Sequence, residues 1–251
     1  AYTNSVYITT APGNNITSNR LSASDQYALF LNRSPNNTIF GNNITADRAA
    51  TYLSSSNGSN ISSNTMTVAN NFAIYMLSSA SNNLTDNNFT AANYAIDLDA
   101  SSSNNFTRNF ANATTNNGIY LVTGSNNNEL RNNTFRAGNQ YGASTFANSL
   151  NNLFVNNTIT ADSYAVYVVS SSTGNSFINS TISASGSYGI SSSTSGNTFS
   201  GNNVTAGGNY AISLASGANA NNLTGNNFSS SSYAIGVSSS SNNISNNTLI
   251  A

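Results

Sequence analysis

Apolar residues recur along this chain in a fixed grouping. An Asn-Asn-apolar motif, or a close variant, places an anchor at Ile16, Ile39, Ile61, Leu84, Phe106, Leu130, Phe154, Phe177, Phe199, Leu223 and Ile244. The intervals run from 21 to 24 residues, with a mean of 22.8. A second anchor follows five positions later, at Leu21, Ile44, Met66, Phe89, Phe135, Ile159, Ile182, Val204, Phe228 and Leu249; the copy at Phe106 offers Phe110 one residue early. A third segment closes each unit, as in Tyr94-Ala95-Ile96-Asp97-Leu98 and Tyr164-Ala165-Val166-Tyr167-Val168. Its apolar residues alternate with others at period two, the pattern of a strand, and no stretch shows helical spacing.

Three short strands per unit, repeated eleven times, cannot bury an apolar face one unit at a time. Stacking the units can. The prediction is an all-β chain: one domain, 1–251, folded as a single right-handed parallel β-helix of about eleven coils, 21–24 residues each, without capping elements. At about 4.8 Å per coil the rod is about 50 Å long. Left-handed β-helices carry hexapeptide periods, which are absent. Units such as Asn82-Asn83-Leu84-Thr85-Asp86-Asn87-Asn88-Phe89 followed by Tyr94-Ala95-Ile96-Asp97-Leu98 resemble the right-handed β-helix repeats of the carbohydrate-binding and sugar-hydrolase type. These repeats occur in pectin-degrading enzymes and in large surface proteins. The resemblance implies the fold and leaves function open, because the architecture hosts enzymes and inert fibres alike.

Stacked coils turn positions into columns. Two residues before the second anchor stand Asn19, Asn42, Asn64, Asn87, Asn133, Asn157, Asn202, Asn226 and Asn247, with Ser180 in one further coil. Their parity with the anchors points them inward. An amide both donates and accepts, so such a column can form a ladder of hydrogen bonds. The middle of the third strand reads Phe30, Tyr52, Tyr75, Asp97, Tyr120, Ser144 and Tyr167, an outward and broken aromatic stripe. It suits sugar stacking, packing against another rod, or stacking within the sheet itself.

Composition removes several function classes. The 251 residues include 51 Asn, 45 Ser and 26 Thr but no Cys, His, Lys or Trp. Without Cys there is no disulfide framework, and without His there is no Ser-His-Asp or Cys-His catalyst. A net charge of -1 with six scattered Arg gives no nucleic-acid footprint. No apolar run is long enough to span a membrane. No cofactor or metal motif is legible. Sequons are frequent; Asn32, Asn43, Asn57, Asn88, Asn112, Asn203 and Asn227 face outward or lie in turns and are glycosylation candidates, with covalent glycans as possible partners.

The carboxylates are few. Asp25 and Asp47 share a column in adjacent coils, with Asp162 too distant to join them and Arg48 placed to neutralise the pair. Asp86 and Arg108 read as a surface ion pair. Asp97 and Asp99 are the other close acidic pair, with no basic partner nearby. Uniform coil lengths leave no long loops to wall a cleft. The expectation is therefore a chain without catalysis, an extracellular or cell-surface filament subunit stacking head to tail on itself. Val6, Ile8, Ile16, Ile235, Val237, Ile244 and Leu249 would form its junction. One alternative is a section of a larger adhesin-like solenoid. Another is a carbohydrate-active β-helix enzyme, a hydrolase or lyase, using Asp25 and Asp47.

Overall fold

The computed structural model describes residues 4–251, and the regular elements among them are all strands, 33 in number, in three parallel sheets of eleven. Every third strand along the chain enters the same sheet. Sheet one runs from Val6–Thr9 to Tyr233–Val237, sheet two from Asn15–Thr17 to Asn243–Ser245, and sheet three from Arg20–Ala23 to Thr248–Ile250. The result is a right-handed β-solenoid of about eleven coils, as the period predicts. No helix among the described residues is long and apolar enough to cross a membrane.

The register follows the anchors. Ile16 pairs with Ile39, Ile39 with Ile61, and so on to Leu223 with Ile244. All of these except the two at the rod's ends are fully buried. Rings stack inside the rod, with Phe154 and Phe177 at 4.4 Å between centroids and 11° between planes. The irregular coil resolves differently from the sequence expectation. Ala111, not Phe110, lies beside Phe89 and Phe135 in the core. Phe110 turns outward beneath the Arg136 guanidinium, 5.4 Å away.

The inward Asn column is a ladder, and a longer one than expected. Asn133 Nδ2 donates to Asn157 Oδ1 at 3.2 Å and to the Phe106 carbonyl at 2.9 Å. Its Oδ1 accepts from the backbone and the amide of Asn109, at 2.8 and 3.0 Å. Asn109 thus supplies the rung missing beside Phe110. A second ladder stands two residues before the first anchor, through Asn37, Asn82, Asn104, Asn128, Asn152, Asn175, Asn197 and Asn221, with Ser59 in one coil. A third, mostly of serine, runs through Ser34, Ser56, Ser79, Ser101 and Ser125. Each ladder follows a corner whose backbone adopts positive φ, as at Ser18, Gly41, Ser63, Asp86, Asn132 and Gly201. Gly, Asn and Ser hold most of these corners, and Gly and Asn tolerate that region best.

The strand edges at the two ends are open. Val237, Ile244 and Leu249 are exposed, while Val6, Ile8 and Ile235 are half-buried and Ile16 is buried. Ile16 and Ile244 lie at opposite ends of sheet two, so these positions meet only between separate molecules. Among the sequon residues, Asn43, Asn57, Asn88, Asn203 and Asn227 are exposed, and Asn32 and Asn112 are half-buried.

Candidate functional site

Sheet one turns two aromatic columns outward. Tyr27, Phe72, Tyr94, Tyr141, Tyr164, Tyr188, Tyr210 and Tyr233 begin its strands. Three residues further on, each strand carries Tyr7, Phe30, Tyr52, Tyr75, Tyr120 or Tyr167, or a small polar residue instead. The parallel register sets successive rings one strand spacing apart, so they stack: Phe30–Tyr52 at 4.6 Å, Tyr52–Tyr75 at 5.0 Å, Tyr164–Tyr188 at 4.9 Å. Sequence reasoning found the second of these columns and missed the first, although the repeated Tyr-Ala of each third strand carried the signal.

Asp97 interrupts the stack. It pairs in register with Tyr75 on one side and Tyr120 on the other, a carboxyl where the pattern has a ring. Flanking rings cover it, leaving 6% of it exposed, and its Oδ1 has no hydrogen-bond partner. A buried, unpaired carboxylate is costly, so the neutral form is favoured. Burial first, and the Asp99 charge second, push Asp97 up to about 7. Near neutral pH it therefore exchanges its proton readily.

The neighbours of Asp97 have distinct parts. Asp99 lies two positions along the same strand, on the same face, and accepts a hydrogen bond from the Tyr75 phenol at 3.2 Å. Burial and the charges of Asp99 and Asp97 raise the Tyr75 pKa, and burial raises that of Tyr120, so both phenols stay protonated as donors. Beyond Tyr120, Asn117 is buried and donates to Ser144 Oγ at 3.0 Å, while its Oδ1 is unpaired. Phe146 closes that side, 5.4 Å from both Tyr120 and Tyr167. Asn117 stands in the strand-start column between Tyr94 and Tyr141, so the repeat marks its place but not its polar role, while Phe146 lies outside the repeat.

Asp25 is exposed, Asp47 accepts from Asn70, and Asp162 accepts from Ser185 at 3.0 Å. Arg48 does not neutralise Asp25 and Asp47 as expected. It donates to Gln26 Oε1 at 3.3 Å and lies over the Tyr27 ring, 5.7 Å from its centroid. Asp86 and Arg108 do form a bidentate pair, at 2.8 and 2.7 Å. No three carboxylates cluster among the described residues.

The sequence profile of the right-handed beta helix region matches residues 2–135, 48–182 and 137–249. The chain belongs to the right-handed β-helix family. Solved structures of similar fold include the A-module of the Azotobacter vinelandii mannuronan C-5 epimerase AlgE6. That structure is 14% identical, with a TM-score of 0.68, covering 95% of this chain and 91% of that one. The periplasmic alginate epimerase AlgG, as a double mutant, is 13% identical, with a TM-score of 0.69 over 97% of this chain and 77% of its own. The Dettilon tailspike protein is 15% identical, with a TM-score of 0.60 over 94% of this chain and 60% of its own. No curated protein matches the sequence. At these identities the likeness is one of fold. It corrects the expectation of a chain without catalysis, which rested on uniform coils leaving no room for a cleft. A β-helix of nearly the same extent occurs as the A-module of a mannuronan C-5 epimerase, so this architecture at this length does not argue against an enzyme.

Proposed function

We propose that this β-helix is a carbohydrate-active protein that cleaves a polysaccharide lying along the outer face of sheet one. Asp97 is the proton donor and Asp99 its partner carboxyl. The observation that carries the reading is the buried, unpaired Asp97 carboxyl set within a row of stacked tyrosines. Glycosidases pair one carboxyl of raised pKa with one that stays ionised. Residues two apart on a strand lie about 6.6 Å apart at Cα, which sets both carboxyls on one face within reach of one sugar unit. Neutral Asp97 gives its proton to the glycosidic oxygen as the C–O bond breaks. Asp99 takes a proton from the water that adds to the anomeric carbon. Tyr75, donating to Asp99, holds that carboxylate in place. The test is incubation with a panel of polysaccharides, mannuronan included, reading new reducing ends and changes in sugar configuration by NMR. Cleavage that disappears in Asp97→Asn supports the proposal. Epimerisation without cleavage replaces it with the activity named for the similar structures.

An extracellular or cell-surface location accompanies this reading. It is supported by the exposed sequon residues Asn43, Asn88 and Asn203 and by a periplasmic enzyme and a tailspike among the similar folds. End-to-end stacking of copies is a second proposal, favoured by the exposed Val237, Ile244 and Leu249 on an open strand edge.

A further inference from the structure

Near one end of the aromatic face lies a cavity of about 290 Å³, lined by Asn4, Tyr7, Gln26, Tyr27, Phe30 and Arg48. Its construction differs from the rest of the face. The floor is three rings, with Tyr7 and Tyr27 each against Phe30, at 5.1 and 5.4 Å. Two amides and a guanidinium stand at its rim. Asn4 Oδ1 is buried without a partner among the described residues. Arg48 is exposed, and its recorded hydrogen bond is to Gln26. The ion pairs of the described residues involve Arg108 and Arg131 instead.

We infer that this cavity is a sugar subsite selective for a ring bearing a carboxylate, which Arg48 recognises. Aromatic floors with a few converging polar groups are the usual form of a small-ligand site. A guanidinium lying over a tyrosine keeps its planar fork oriented, and that fork matches a carboxylate in bidentate geometry. Arg48 directly precedes the strand Ala49–Ser54, two coils from the strand of Asp97. That separation is about 9.6 Å along the rod. A polymer on the aromatic face would therefore occupy both places at once. Positive charge sits at the subsite, so one acidic ring is gripped there while another ring of the same polymer reaches Asp97 and Asp99. The inference rests on the sugar-binding part of the proposed function and supplies its substrate class.

The experiment is calorimetric titration of the whole chain with tetramannuronate and with the neutral mannotetraose, for wild type and Arg48→Gln. Wild type should bind the acidic tetramer more tightly. Arg48→Gln should lose about tenfold for that ligand and nothing for the neutral one. Since Arg48 is exposed, its replacement leaves the fold intact, which a thermal melt verifies. Equal wild-type affinity for the two tetramers, or an unchanged Arg48→Gln, overturns the subsite. Arg48-dependent binding without turnover overturns only the catalytic reading.

Discussion

Tyr75 donates its phenolic proton to Asp99 while its ring stacks on Tyr52, so one side chain serves both the aromatic row and the acidic pair. Tyr75→Phe keeps the stack and removes the donor. The expected outcome is a fall of about tenfold in kcat with the melting temperature little changed, since a hydrogen bond to a half-buried charged group is worth about 1–2 kcal/mol. Kinetics of Tyr75→Phe beside Tyr75→Leu separates the donor from the ring.

Asp97 makes stability depend on pH in an unusual direction. Its folded pKa of about 7 lies above the ordinary 3.8. Below about pH 4 both states are protonated and burial carries no ionic penalty. Between those values the folded chain keeps a proton that the unfolded chain has released, so stability falls as pH rises, and above about 7 the penalty is constant. The size is on the order of 4 kcal/mol at most. Melting temperature should drop from pH 4 to pH 8 in wild type, and Asp97→Asn should remove most of that slope. A wild-type profile that is flat or rises with pH contradicts the assignment.

Interior and terminal rungs of the Asn ladder should differ sharply. Asn133→Ala strands the backbone N–H of Asn109 and the carbonyl of Phe106 in a dry interior. A loss of about 2–4 kcal/mol in urea denaturation is expected. Asn19 is exposed at the end of the ladder, and Asn19→Ala should cost under about 1 kcal/mol.

Two core hydroxyls work against the fold. Thr51 and Thr145 are fully buried, and neither Oγ1 has a partner. Valine has nearly the same shape without the unpaired group. Thr51→Val and Thr145→Val should therefore each leave stability unchanged or raise it by about 1 kcal/mol, read by the same denaturation.

End-to-end stacking is checked by sedimentation at rising concentration. If the edge carrying Ile244 and Leu249 docks on another copy, Ile244→Asp with Leu249→Asp should hold the protein monomeric where wild type associates, because each buried carboxylate lacks a partner. Association that survives this substitution removes that edge as the junction.

The period of the chain makes the fold legible because each coil repeats one physical solution. An anchor such as Leu84 or Phe154 must point inward, and an Asn beside it must pair with its copy in the next coil. The same signal contained the second ladder. In Asn82-Asn83-Leu84 the first Asn has the parity of the anchor, and it is buried. In the coil of Phe106 the pattern breaks because Ala111 takes the inward place and Phe110 turns out beneath Arg136, a matter of packing that spacing does not carry. The candidate site was the least legible part. Asp97 and Asp99 stood out as a pair, but the burial that gives Asp97 its chemistry comes from rings in adjacent coils. Arg48 was assigned to Asp47 by proximity in sequence, whereas in the fold it reaches Gln26 and Tyr27 in the neighbouring coil.

Because every strand pairs only with its counterparts one coil before and one coil after, the rod has the grammar of a ruler. A duplicated or deleted coil lengthens or shortens it by one graduation and leaves all other marks in place. The distance between Arg48 and Asp97 is then an integer, two, fixed by the number of intervening repeats rather than by any side chain. Inserting one whole repeat between them would move the two places apart by about 4.8 Å without disturbing either. A lineage could thus retune which stretch of a polymer is gripped and which is cut by counting coils alone.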